Sequence, residues 1–194
     1  MMLTLFLKYG TQREVEVASL TDLQGADLWG ADLRYARLQE VNLQNTDLRF
    51  ADLWRANLQD ANLQNADLQN ADLPKAILRN ADLQGANLHG ANLRLADLQG
   101  ANLQGANLDY ADLWDTDLRN ANLQNANLKN ANLKNANLKN ANLQNANLQG
   151  ADLWGAYIAD ANLQDANLQN ADLRSATLWR ANLQGANLQD AKRS

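Results

Sequence analysis

The pentad Ala-(Asp/Asn)-Leu-x-x constrains this chain more than any other feature. It repeats thirty-four times in one register from Thr21 to Asp190, with Leu at every centre except Ile158. Thirty pentads open with Ala, and thirty carry Asp or Asn second. An α-helix cannot use such a period. Successive Leu would step by about 140° around the axis and never form one apolar stripe. A hairpin sheet fails as well, because its side chains alternate with period two. Short extended segments joined by tight turns satisfy the pattern. Ala and Leu, two apart, then point inward together. The second and fourth residues point outward, and the fifth, usually Gly, Asn or Asp, takes the turn.

Folding the chain at twenty residues sorts the fourth position into four columns. The first holds Gln24, Gln44, Gln64, Gln84, Gln104, Gln124, Gln144, Gln164 and Gln184. The third holds Arg34, Trp54, Pro74, Arg94, Trp114, Lys134, Trp154 and Arg174, with no Gln. The four departures from Asp/Asn at the second position, Arg37, Ile77, Tyr157 and Thr177, all fall in the fourth column. A four-sided coil produces this sorting, since each column becomes one wall of a prism. Duplication of a twenty-residue unit also produces it, and still makes twenty the structural module.

The pentad, as in Ala61-Asn62-Leu63-Gln64-Asn65, resembles the A-(D/N)-L-x-x motif of the pentapeptide repeat proteins, and the resemblance covers residues 21–190. It implies an all-β fold, a right-handed quadrilateral β-helix of about 8.5 coils of four pentads; the right hand agrees with parallel crossover connections in general. At about 4.8 Å per stacked strand the prism is roughly 40 Å long. Residues 1–20 are expected to form an N-terminal cap, with strands at Leu3–Tyr9 and Arg13–Val17. Residues 21–190 form one repeat domain and residues 191–194 a tail. With no cap legible after Asp190, Leu183, Leu188 and Lys192 mark an end through which two copies are expected to pair as a homodimer, unless charge at Lys192 and Arg193 blunts that edge. Second-position Asn is expected to build amide ladders, as along Asn122, Asn142, Asn162 and Asn182.

Chemistry is sparse. Cysteine is absent, so disulfides and thiolate metal sites are excluded. His89 is the only histidine; too few ligands converge for a metal, and it lacks a Ser or Cys partner for nucleophilic catalysis. Asp112, Asp115 and Asp117 lie on a convex prism with no cleft to separate their pKa values, and read as solvated. Lys129, Lys134 and Lys139 read as a solubilising band. No Gly-rich phosphate loop is present. No catalytic residue, cofactor or metal is therefore expected. The net charge of −5 disfavours direct binding to nucleic acid. Leu3–Leu7 is too short to span a membrane. No basic residue precedes it, and Glu14 and Glu16 crowd the nearest small-residue site at Ala18, so a cytoplasmic location is expected.

The third wall is the richest surface. Trp54, Trp114 and Trp154 alternate there with Arg34, Arg94, Lys134 and Arg174, beside an Asp-rich second column. Phe50 and Tyr110 stand at its entry corner, and Tyr35 and Arg55 at its exit. Exposed aromatics with Arg are the composition of protein interfaces. Large side chains also stack along a β-wall simply to shield its backbone, and both readings stay open. The candidate partner-binding set is Tyr35, Phe50, Trp54, Arg55, Arg94, Tyr110, Trp114, Trp154 and Arg174. Ile77, Tyr157, Thr177 and Trp179 on the fourth wall read as filler on a flattened wall in preference to a second contact site. The resemblance, closest to the Leu-centred cyanobacterial-type members, implies a non-enzymatic scaffold that binds a protein partner of unknown identity. The alternative it implies is an acidic DNA mimic that binds a type II topoisomerase, DNA gyrase. Against that alternative, the third wall mixes signs, no Phe stands at a pentad centre, and no loop interrupts a coil.

Overall fold

The computed structural model describes residues 2–6, 12–16 and 21–193. Strand β1 (Met2–Phe6) pairs antiparallel with strand β2 (Gln12–Glu16), Met2 opposite Glu16 and Phe6 opposite Gln12. Both anticipated N-terminal strands are present in shifted form. Residues 7–11 and 17–20 lie outside the described residues, and with them the remainder of the anticipated cap. From Asp22 onward the chain is a stack of parallel bridges, each joining residue i to residue i+20, from Asp22–Asn42 to Asp172–Lys192. Twenty residues therefore make one coil, and each pentad is one wall of it. The first coil runs 21–40 and the first wall holds the pentads that begin at 21, 41, 61 and so on. Among the described residues there is no helix.

The pentad 121–125 shows how the backbone is satisfied. The Leu123 amide donates to Asn142 O in the coil above (2.7 Å), and Asn122 to Ala101 O in the coil below (2.9 Å). Asn125 donates to Gln144 O above (3.0 Å), and the Ala126 amide closes the corner onto Leu123 O (3.0 Å). The corner residue has positive φ, as the third residue of a type II turn requires. Even Tyr35, Phe50 and Leu95 adopt φ of 59°, 58° and 60° there.

One amide per pentad is left over, that of the fourth residue, and the second residue takes it. Gln124 N donates to Asn122 Oδ1 at 3.2 Å. The same bond forms in every pentad that has Asp or Asn second and an N–H fourth. This is why an Asx side chain is almost obligatory: it accepts from a donor that the ladder cannot reach. It also explains Pro74. Proline lacks an N–H, and it stands at the one pentad position whose N–H finds no backbone acceptor within the stack. Where Arg37, Ile77, Tyr157 and Thr177 replace Asx, the amides of Gln39, Arg79, Ala159 and Trp179 lose the Asx acceptor.

Asn does a second job with its amide nitrogen. Asn142 Nδ2 donates to Asn122 Oδ1 (3.3 Å), Asn162 to Asn142 (3.2 Å) and Asn182 to Asn162 (3.0 Å). The anticipated ladder exists, and every such bond in it points toward the coil below.

The interior is Leu and Ala, almost all of them fully buried from Leu28 to Leu168. Thr46 and Thr116 occupy Ala sites and bury their hydroxyls by donating to Leu43 O (2.6 Å) and Leu93 O (2.9 Å). In the last coil Ala181, Leu183, Ala186 and Leu188 are only partly buried.

Candidate binding wall

Because the fold fills its interior with Leu, all chemistry is on the walls. The nine third-wall candidates do not form one patch; the structure sorts them into groups. Tyr35 meets Trp54 edge-on at 4.8 Å, and the Arg55 guanidinium lies 4.9 Å from the other member of that pair, the Trp54 ring. Arg94 lies 4.5 Å from the Trp114 ring and pairs with Asp112 at 3.2 Å. Trp54 and Trp114 are half-buried beneath these partners. Trp154 has no such cover and is 44% exposed. With Lys134, Asp152, Asp172 and Arg174 it lines a shallow open depression of about 330 Å³.

Phe50 and Tyr110 stand at the corner shared by the second and third walls, 46% and 62% exposed. Each meets a ring of the coil below in a T-shaped contact: Phe50 with Trp29 and Tyr110 with His89, both at 6.0 Å. Sequence reasoning set aside His89 and gave Trp29 no role. The signal was the spacing of twenty-one, which carries a fourth-position side chain to the corner of the next coil. His89 Nδ1 also lies 3.8 Å from Asp109 Oδ2.

Charge is handled by position. At two of the steps where Asp stands above Asp, an arginine sits beside both carboxylates. Arg34 bonds Asp32 and lies 3.8 Å from Asp52, and Arg49 bonds Asp47 and lies 3.8 Å from Asp67. Arg119 and Arg174 hold Asp117 and Asp172, each at 2.6 Å. The Arg174 hydrogen bond lowers the Asp172 carboxyl to about 2, against a smaller opposing push from burial. The Arg34 bond likewise lowers Asp32. At Asp117 burial pushes the carboxyl up, but the hydrogen bonds and charge of Arg119 outweigh it, and the net shift is downward. Reading Asp112 and Asp117 as merely solvated is therefore corrected: each sits in an ion pair with an arginine. Lys134 is likewise paired, 3.0 Å from Asp152.

On the fourth wall Tyr157 and Trp179 are 41% and 60% exposed, and Arg180 lies 4.9 Å from the Trp179 ring. At the C-terminal coil Leu183 and Leu188 are partly buried and Lys192 is exposed, its amide bonded to Ala171 O at 2.9 Å. Among the described residues no group of His, Cys, Asp or Glu is placed to hold a metal, and no helix is long and apolar enough to cross a membrane.

The model of the family described as pentapeptide repeats matches in eight copies, over residues 21–60, 56–94, 96–135, 116–155, 136–174 and 161–192. Among solved structures the chain is similar to HetL, a pentapeptide repeat protein involved in heterocyst differentiation regulation from the cyanobacterium Nostoc sp. strain PCC 7120. That match has 40% identity over 88% of this chain and 84% of HetL, with a TM-score of 0.52. Rfr23, a pentapeptide repeat protein from the cyanobacterium Cyanothece 51142, matches at 32% identity over 58% of this chain and 91% of its own, with a TM-score of 0.57. QnrB1, a plasmid-mediated fluoroquinolone resistance protein, matches at 23% identity over 89% and 77% with a TM-score of 0.40, too distant to bear on function. A comparison with curated proteins found no match.

Proposed function

Because the chain belongs to the pentapeptide repeat family, we propose that it is a non-enzymatic scaffold that holds a protein partner against its third wall. The observation that carries this reading is the wall's composition. Trp154 and the corner rings Phe50 and Tyr110 are exposed, with Arg55, Arg94 and Arg174 among them, the residue types over-represented in binding hot spots. A flat convex wall without a cleft suits a macromolecule better than a small substrate. The similarity to HetL, whose stated involvement is in regulation, is in keeping with a role through partners. Within this reading the coil is right-handed with about 8.5 turns, residues 1–20 cover its first coil, and the protein works in the cytoplasm. Two copies pair through Leu183, Leu188 and Lys192.

The duplex-mimic alternative is weaker, because a mimic needs a field of one sign. Here Arg34, Arg49, Arg94, Arg119 and Arg174 interrupt the Asp columns. A pull-down tests the scaffold. Wild type is compared with the Trp54→Gln, Trp114→Gln, Trp154→Gln triple variant, and the variant is expected to lose the partner. Equal recovery by both overturns the third-wall reading, and inhibition of gyrase supercoiling by purified protein favours the alternative.

A further inference from the structure

Two places on the ridge between the second and third walls are built alike. In the second coil the chain reads Phe50-Ala51-Asp52-Leu53-Trp54, and in the fifth Tyr110-Ala111-Asp112-Leu113-Trp114. Each has an exposed corner ring, Phe50 or Tyr110, backed edge-on by a ring of the coil below, Trp29 or His89. Each has a half-buried Trp on the wall, already covered by an arginine of this chain, Arg55 or Arg94. The Trp faces are thus occupied, and the corner rings are open. The fold itself does not ask for these rings. Phe50 and Tyr110 both hold φ of 58°, a backbone that bulky L-residues avoid and that Asn fills at Asn70 and Asn130 of the same corner.

The two stations are three coils apart, roughly 14 Å at about 4.8 Å per strand. An extended peptide advances about 3.4 Å per residue, so four residues span the gap, and residues i and i+4 share a face. The charge of this half of the rod selects the side chain. Residues 21–120 carry fifteen acidic and eight basic residues, a net −7, whereas residues 121–194 carry five and seven. Arg94 against Trp114 and Asp112 shows on this very surface how a guanidinium is received: ring face at 4.5 Å, carboxylate at 3.2 Å.

We propose that the ridge docks an extended, basic segment of a partner protein, with arginines at i and i+4 seated on Phe50 and Tyr110. This deepens the scaffold reading by naming the partner's chemistry, and it rests on that reading. Peptides in a Ser/Thr background, with two arginines spaced four or three apart, are titrated into the full chain by fluorescence anisotropy. The four-apart peptide should bind about tenfold tighter, since at i+3 the second arginine faces away. Phe50→Asn and Tyr110→Asn place at the corner the residue that the fold already uses there, so folding is retained. Each should weaken the four-apart peptide about tenfold, and together they should erase the spacing preference. Equal affinity for the two spacings, or affinity unchanged by both substitutions, overturns the proposal. Should the pull-down remain wall-dependent while the peptides show no preference, this inference falls and the scaffold stands. A spacing preference with a pull-down unchanged by the triple Trp variant upholds the ridge and overturns the three tryptophans as the contact.

Discussion

The first and third walls share one backbone and one Leu core, yet their outer faces have almost nothing in common. The first wall repeats Gln at every fourth position, and neighbours join amide to amide, Gln44 to Gln64 at 3.3 Å and Gln124 to Gln144 at 3.4 Å. The third wall has Arg, Trp, Pro and Lys at the same position, bound into rings and ion pairs. Both make the same Asx bond inside, Gln124 N to Asn122 Oδ1 at 3.2 Å and Trp114 N to Asp112 Oδ1 at 3.1 Å. The contrast amounts to a division of labour within five residues. The side chains of the first three positions hold the coil, and those of the fourth and fifth are freer to vary, although the fifth backbone makes the corner.

The most severe test of this division is in the core. Leu123→Ala under the first wall and Leu113→Ala under the third, both fully buried, should each cost about 2–5 kcal/mol in chemical denaturation. The two costs should agree within about 1 kcal/mol, because both leave the same cavity between Ala-lined walls. A consistent gap larger than that breaks the claim of a common core.

A smaller effect separates the second position from the fourth. Asn122→Ala removes the acceptor of Gln124 N and two ladder bonds, to Asn102 at 3.1 Å and from Asn142 at 3.3 Å. It should cost about 1–3 kcal/mol, whereas Gln124→Ala should stay within about 0.5 kcal/mol. Thermal melts of the two variants decide it, and similar losses would mean that the fourth position also holds the coil.

The smallest effect is acid sensitivity, read at Asp172 on the third wall. The Arg174 hydrogen bond holds the Asp172 carboxyl down at about 2 in the fold, against about 3.9 in the unfolded chain. A lowered folded value gives stability that is present above the unfolded pKa and lost as pH falls through the folded one. Wild type should therefore lose stability between about pH 4 and pH 2, and Asp172→Asn, which keeps the Asx acceptor, should lose less of it. Melting curves at pH 7, 4 and 2.5 measure this; an identical loss in both proteins sinks the assignment. The exposure of Arg174 keeps the effect small.

Much of the architecture was legible because a period of five allows few solutions. The twenty-residue turn, the Leu interior and the Asn122–Asn182 ladder followed from spacing alone. The chief task of the second residue did not, because the orphan amide it serves appears only when every backbone group in a coil is counted. Nor did the backing of Phe50 by Trp29, and of Tyr110 by His89. Those contacts cross from one column to the next at a spacing of twenty-one, which sorting by columns conceals. The nine candidate residues were named one by one, while their grouping around Trp54, Trp114 and Trp154 depends on which way long side chains lean.

The direction of the Asn bonds gives the rod a syntax. Asn above Asp is a permitted phrase: Asn42, Asn92, Asn102 and Asn132 each donate down to Asp22, Asp72, Asp82 and Asp112. In the reverse order the carboxylate has no proton to offer the amide below, and the sentence is completed by another word. Above Asn62, Asn92 and Asn132, the carboxylates of Asp82, Asp112 and Asp152 are instead reached from below by Gln64, Arg94 and Lys134. Asp97, above Ile77, is reached by Arg79 in the same way. A copying error that swaps one Asp for one Asn is therefore read differently according to what lies beneath it, and the same two letters spell a bond in one order and a demand for a donor in the other.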